Sequence, residues 1–208
     1  MAYGDLRKKL FYTLFIVILF RLGSAVPVPF LDPSAISAMF NSMQDPGNMA
    51  GNVLGFLDIM TGGSFSKSTV FALSITPFIN ASIIMQLLTV AINKLGELQK
   101  QGEEGRKKIA QITRYVTVGI GLILAFGYYL ILRNEYTAVQ VVDGFPGIFV
   151  AAVIILTFTA GSALIVWLGE RINEKGIGNG ISIILFAGII SRAPAAVSFV
   201  LNTFNDGL

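Results

Sequence analysis

Three stretches of the chain run without a charged residue: Val70–Ile92, Tyr115–Leu132 and Gly147–Leu168, of 23, 18 and 22 residues. A hydrocarbon core of about 30 Å takes about 20 apolar residues at a helical rise of about 1.5 Å each, so each stretch is predicted to cross a bilayer as a helix. An open strand would leave its backbone groups unpaired in lipid, which selects the helical form. Two shorter apolar runs, Leu10–Phe20 and Ile181–Ile190, stand nearer the ends of the chain. Arg21 closes the first directly and Arg192 closes the second after Ser191. An arginine near a helix end reaches the headgroups along its aliphatic stem. The pattern therefore predicts five spans, at 10–28, 70–92, 115–132, 147–168 and 180–200. The first run has a rival reading, because Arg7, Lys8 and Lys9, a short apolar run and then Gly23, Ser24 and Ala25 also outline a cleavable signal peptide. Both readings send the residues that follow to the exterior.

Between the spans lie an amino-terminal segment (1–9), a long segment (29–69), three loops (93–114, 133–146 and 169–179) and a tail (201–208). The long segment holds Pro29 and Pro33, then Asp45-Pro46-Gly47, all turn chemistry. Val53–Met60 suits a short apolar helix, too brief to cross, with Gly51 before it and Gly62 and Gly63 after it. It rests on the outer leaflet as an interfacial helix, or it re-enters between the spans and swings on its glycines. The second span carries Ser74, Pro77, Asn80, Ser82 and Gln86. Polar groups at membrane depth face protein or a water-filled cavity, so packing and pore lining both remain open for this helix. Pro77 predicts a kink.

Charge then sets direction. The chain is 54% hydrophobic and 13% charged, with a mean hydropathy of +0.72, which leaves little charged surface for a water-soluble domain. Of 15 basic residues, Arg7, Lys8, Lys9, Lys94, Lys100, Arg106, Lys107, Lys108, Arg114, Arg171 and Lys175 fall on one side. Arg21, Lys67, Arg133 and Arg192 fall on the other. The positive-inside rule puts the amino terminus in the cytoplasm and, after five spans, Leu208 outside. An odd number of spans means that a second such unit would follow inverted, the arrangement that builds sites at the membrane midplane. No second copy lies within the 208 residues, so the chain reads as one half of such an architecture.

Cysteine and histidine are absent, which excludes a disulfide framework, a thiolate nucleophile, a Cys/His zinc site and an imidazole base. No metal or cofactor is expected, and no enzyme. Lys67, between Ser66 and Ser68, offers a Ser-Lys pair only on paper and reads as a solvated loop lysine. Gly176-Ile177-Gly178-Asn179-Gly180 lacks the strand and spacing of a dinucleotide fingerprint and reads as a flexible approach to the fifth span. No basic patch with interleaved aromatics points to direct nucleic-acid recognition. The 93–114 loop mixes Glu97, Glu103 and Glu104 with six basic residues. It orients the chain and touches headgroups, or docks a charged partner surface through Arg106, Lys107, Lys108 and Arg114. A secondary-transporter half is the alternative reading. It should carry a charged or strongly coordinating residue deep in a span, and the three clear spans have none.

Four motifs carry a resemblance. Phe20-Arg21-Leu22-Gly23 with Val26-Pro27-Val28-Pro29, the run Phe71–Leu88, Gly102–Ile109 with Thr113-Arg114-Tyr115, and the run Trp167–Ser182 together resemble the SecY family of protein-conducting channels almost end to end. The resemblance implies an all-α membrane protein of five transmembrane helices, one of two inverted-repeat halves, with a short re-entrant plug helix. It implies that the first run is a true span and that chains of the family contain a second such half. It assigns the plug to about 52–64, with Val53, Leu54, Gly55, Phe56, Leu57, Asp58, Ile59, Met60, Gly62 and Gly63. It assigns the pore ring to Ile79 and Ile83 from the second span and Leu185 and Ile189 from the fifth, with Leu185 where isoleucine is usual. An apolar collar dewets, which opposes ion leak, and offers no polar contact that would select among threading chains. The implied setting is a multi-pass protein of the cell membrane, with the second and third spans at a lateral gate. The implied partners are SecE and SecG, the SecA motor or the ribosome mostly through the absent half, the translocating polypeptide and membrane lipid. A second half-chain, or self-association, would cover the open flank.

Overall fold

A computed structural model describes residues 2–43, 55, 56, 58–134, 138, 139, 146–194 and 197. Seven helices account for most of them: α1 (Ala2–Gly23), α2 (Pro33–Met43), α3 (Thr76–Ala91), α4 (Asn93–Lys100), α5 (Glu103–Asn134), α6 (Gly147–Lys175) and α7 (Gly180–Ile190). Among the described residues there is no strand, only the isolated antiparallel bridges Pro27 to Thr69 and Leu31 to Val139.

Local chemistry fixes where these helices start. Asp32 caps α2: its Oδ1 accepts from the Ser34 amide at 2.9 Å and the Ser34 hydroxyl at 2.5 Å, and its carbonyl accepts from the Ile36 amide at 3.1 Å. Pro33 then takes the first helical position, where no amide hydrogen is needed. Pro77 plays the same part in α3, lying in its first turn. The expected kink at Pro77 is therefore absent, because a proline at a helix start removes no helical hydrogen bond. Residues 70–75, predicted as the beginning of the second span, are successive turns instead, following the bridge at Thr69. Their apolar side chains are buried in protein: Phe71, Ala72, Leu73 and Ile75 are each less than 9% exposed. At the other end of α3, Ile92 is extended (φ −109°, ψ 111°), and α4 departs at 100°.

The 93–114 loop is helical over most of its length, as α4 and the first turns of α5. Glu103 and Glu104 begin α5, where the helix dipole favours negative charge. At about 1.5 Å per residue the 32 residues of α5 measure about 48 Å, well beyond a hydrocarbon core of about 30 Å. Among the described residues two helices, α5 and α6, are by length and composition long and apolar enough to cross a membrane alone. The pair α3 and α4 meets that test only as a bent unit, and α7 is a shorter apolar helix of 11 residues.

Among the described residues two apolar clusters hold the bundle. One joins Val28, Leu31, Ile36 and Met39 to Phe65, Leu73, Tyr128, Leu132, Ile154 and Phe158, tying the long connecting segment onto α5 and α6. The other joins Ile16 and Phe20 of α1 to Phe71, Ile75, Ile165, Leu168, Ile172 and Ile184, so that α1, α6, α7 and the approach to α3 meet. The outer faces stay apolar. On α1, Leu10, Phe11, Leu14, Phe15, Ile18 and Leu22 are all exposed, a surface that lipid covers and water would not tolerate.

Candidate functional site

The four ring positions lie on α3 and α7. Ile79 and Leu185 are half-buried and pack against the same cluster, around Ile75 and Ile184. Ile83 and Ile189, one turn further along their helices, are exposed at 51% and 46%. The structure thus brings Ile79 and Leu185 to one cluster and leaves Ile83 and Ile189 on open surface. The polar residues of α3 do not disturb this arrangement. Ser82 donates to the Ile79 carbonyl at 2.9 Å and Thr89 to that of Gln86 at 2.7 Å, closing their hydrogen bonds within the helix. Asn80 and Gln86 are exposed.

The candidate plug reaches the site from the long connecting segment. Val53, Leu54 and Leu57 lie outside the described residues. Gly55, Phe56 and Asp58–Met60 are helical, and turns follow to residue 68. Gly62 (φ 68°) and Gly63 (φ 85°) end the helix in the left-handed conformation that glycine adopts at no steric cost. Their amides bond back to the carbonyls of Ile59 at 3.1 Å and Asp58 at 2.9 Å. Thr61 adds a side-chain bond to the Asp58 carbonyl at 3.1 Å and receives the Phe65 amide at 3.2 Å. The Phe65 ring stacks on Tyr128 of α5, with centroids 4.6 Å apart. The Tyr128 hydroxyl lies 2.7 Å from the Phe65 carbonyl, to which it donates, and 2.7 Å from Ser68 Oγ. The segment is therefore moored to α5 just beyond its glycines.

Sequence reasoning missed the contact on the other side. Arg192, which closes the apolar run Ile181–Ile190 in the sequence, extends Nη1 to 2.8 Å from Asp58 Oδ2. The signal was present in outline: one carboxylate in an otherwise apolar segment, and one arginine just past an apolar run. Lys67 is exposed, while the Ser66 and Ser68 hydroxyls face the Gly63 carbonyl and Tyr128, so no Ser-Lys pair is assembled. A cavity of about 690 Å³ borders the glycine turn, lined by Arg21, Ser24, Pro33, Ser34, Lys67 and Thr69 among others. Near its rim, the two Ser34 hydrogen bonds hold the Asp32 carboxyl below its ordinary value, the hydroxyl contributing most.

At the opposite end, Arg106, Lys107 and Lys108 are exposed on the first turns of α5. Arg114 is engaged, with Nε 2.7 Å from Glu170 Oε1 of α6. The link from α6 to α7 is tightly bound. Asn173 Oδ1 accepts the Gly180 amide at 2.7 Å, Asn179 Oδ1 accepts the Ile181 amide at 3.1 Å, and Thr13 Oγ1 of α1 accepts the Ile177 amide at 3.2 Å. Among the described residues no group of acidic, histidine or cysteine side chains could hold a metal ion.

The family profile SecY matches residues 69–207. A protein translocase subunit SecY of Thermotoga maritima is 41% identical over 208 residues, covering 98% of this chain and 46% of that protein. The SecY subunit of Escherichia coli K12 is 37% identical over 206 residues, with 98% and 44% covered. Aquifex aeolicus SecY is 40% identical over 196 residues, with 93% and 44% covered. The chain spans less than half the length of these relatives. Among solved structures it superposes on Sec61 in the canine ribosome–channel complex from the endoplasmic reticulum at a TM-score of 0.61, with 22% identity, covering 90% of this chain and 37% of that one. It also superposes on a SecY whose plug domain stabilises the closed state of its translocation channel, at a TM-score of 0.59 with 20% identity, covering 88% and 35%. At these identities the structural likeness establishes the fold.

Proposed function

The chain belongs to the SecY family, and from that premise we propose that it forms the amino-terminal half of a membrane channel that passes unfolded polypeptides across or into the bilayer. One observation carries the reading. Two helices from distant parts of the chain set Ile79 and Leu185 on a shared apolar cluster and leave Ile83 and Ile189 open, and the glycine-ended segment crosses the second of these helices at Gly188. Four aliphatic side chains make half of a collar, and the second half of the relatives would close it. The collar limits leak by dewetting and accepts any threading sequence, because it presents nothing polar to bind or refuse. The segment at about 52–64 is the plug that occupies the exterior mouth when no chain is present.

The amino terminus lies in the cytoplasm, as the basic residues at 7–9, 106–108 and 114 favour. Arg106, Lys107 and Lys108 are available there to a charged partner surface. SecE, SecG and the SecA motor or the ribosome are the proposed partners, engaged mostly through the second half. A photoreactive residue placed at 79, 83, 185 or 189, with the complementary half supplied, is expected to capture a stalled translocating chain. The same group at Ile148, which is 84% exposed at the start of α6, is expected to capture lipid instead. Equal capture at all five positions, or none at the four, overturns the proposal.

A further inference from the structure

The fifth predicted span carries more than two ring positions. Where the 60–62 backbone crosses α7, no side chain separates them: a carbon added at Gly62 would lie 2.7 Å from the Gly188 carbonyl oxygen and 2.9 Å from Ser191 Oγ. A carbon added at Gly188 would lie 3.3 Å from the Met60 carbonyl oxygen. Ser191 Oγ is itself fixed by donating to the Gly188 carbonyl at 2.6 Å. One turn beyond Gly188, Arg192 meets Asp58 at 2.8 Å. The Asp58 side chain is 3% exposed, and its second oxygen, Oδ1, takes the Ser66 amide at 2.8 Å. Both oxygens of a buried carboxylate are thus satisfied, one from its own segment and one from the turn that follows α7.

We propose that Asp58 and Arg192 are a positioning pair that latches the plug segment to the helix carrying Leu185 and Ile189. The inference rests on the plug reading above and adds what holds the plug shut. The glycine-to-glycine crossing sets the register of the segment on α7, and the ion pair makes departure costly, since a buried carboxylate parted from its cation is strongly disfavoured. Arg192 follows Ile189 by three residues. Displacement of the ring wall by an arriving chain therefore moves Arg192 as well, and the latch opens with the ring. Once the segment swings into water both charges are solvated, so the open state carries no such penalty.

The chain contains no cysteine, so Ser64→Cys provides a single reporter. Ser64 is buried and its hydroxyl has no partner among the described residues, which makes the exchange a mild one. The chain with its complementary half is placed in sealed vesicles and treated from the exterior with a membrane-impermeant maleimide. Modification is expected to accelerate about tenfold with Arg192→Ala or with Asp58→Asn, to rise far less with Arg192→Lys, and to gain little more when both groups are removed together. Rates within about twofold of the background in both single variants overturn the latch, as do effects of the two changes that simply multiply. The plug reading is tested separately by halide leak. If deletion of residues 55–61 leaves leak unchanged, the plug assignment falls, while the labelling rates still decide the pair.

Discussion

α7 is held at its two ends by contacts of opposite character. At Gly180 the restraint is neutral and without clearance: a side-chain carbon there would lie 2.0 Å from the Gly169 carbonyl oxygen, and Asn173 and Asn179 bind the amides of the first turn. At Gly188 and Arg192 the restraint is a looser backbone crossing, 3.3 Å for an added carbon, reinforced by one ion pair whose arginine is 38% exposed. Neutral hydrogen bonds packed between backbones give way only when the fold does. An ion pair open to water on one side can exchange its partner for solvent. On the latch proposal the same helix has a fixed foot and a releasable head, which would let it take part in gating without unravelling.

The comparison is broken most severely at the foot. Gly180→Ala pushes a methyl group into the Gly169 carbonyl, and a loss of about 3 kcal/mol is expected, seen as a lowered midpoint of thermal unfolding in detergent. A variant as stable as the parent would mean that the foot has slack. At the head, Gly188→Ala asks Met60 to move only a few tenths of an ångström, and the expected cost is about 1 kcal/mol or less. Unfolding should barely change, while hydrogen exchange of the Gly62 amide, bonded to the Ile59 carbonyl, quickens. The smallest effect lies outside both ends. The Asp32 carboxyl is held below its ordinary value of 3.8, so the stability it lends α2 is present above that value and is lost as pH falls through the lowered one. The difference in unfolding between the parent and Asp32→Ala should therefore be present at neutral pH and disappear in acid well below 3.8, with neither end of α7 affected.

Hydropathy made α5 and α6 plain, because long uncharged runs in lipid have no other stable form. It was less informative at their polar ends. Residues 103–114 and 169–175 continue the helices through Arg, Lys, Gln and Glu, which propagate a helix readily once a span has nucleated it. It misjudged 70–75 for a different reason. Phe71, Leu73 and Ile75 are apolar because protein buries them, and apolar character does not distinguish a turn inside a protein from a helix inside a membrane. The proposed ring positions rest on family motifs alone, since four aliphatic residues among so many carry no mark of their own. The Asp58–Arg192 contact joins residues 134 positions apart, and no local pattern announces such a meeting.

The mooring at Tyr128 also limits travel. Phe65 is stacked and hydrogen-bonded to α5, and seven residues separate it from Asp58. Drawn fully straight, that leash measures about 25 Å. On the proposed plug reading, a released Asp58 stays within that leash of its mooring, a reach shorter than the roughly 30 Å thickness of a hydrocarbon slab. The tyrosine thereby guarantees that whatever leaves its seat stays within range to return to it.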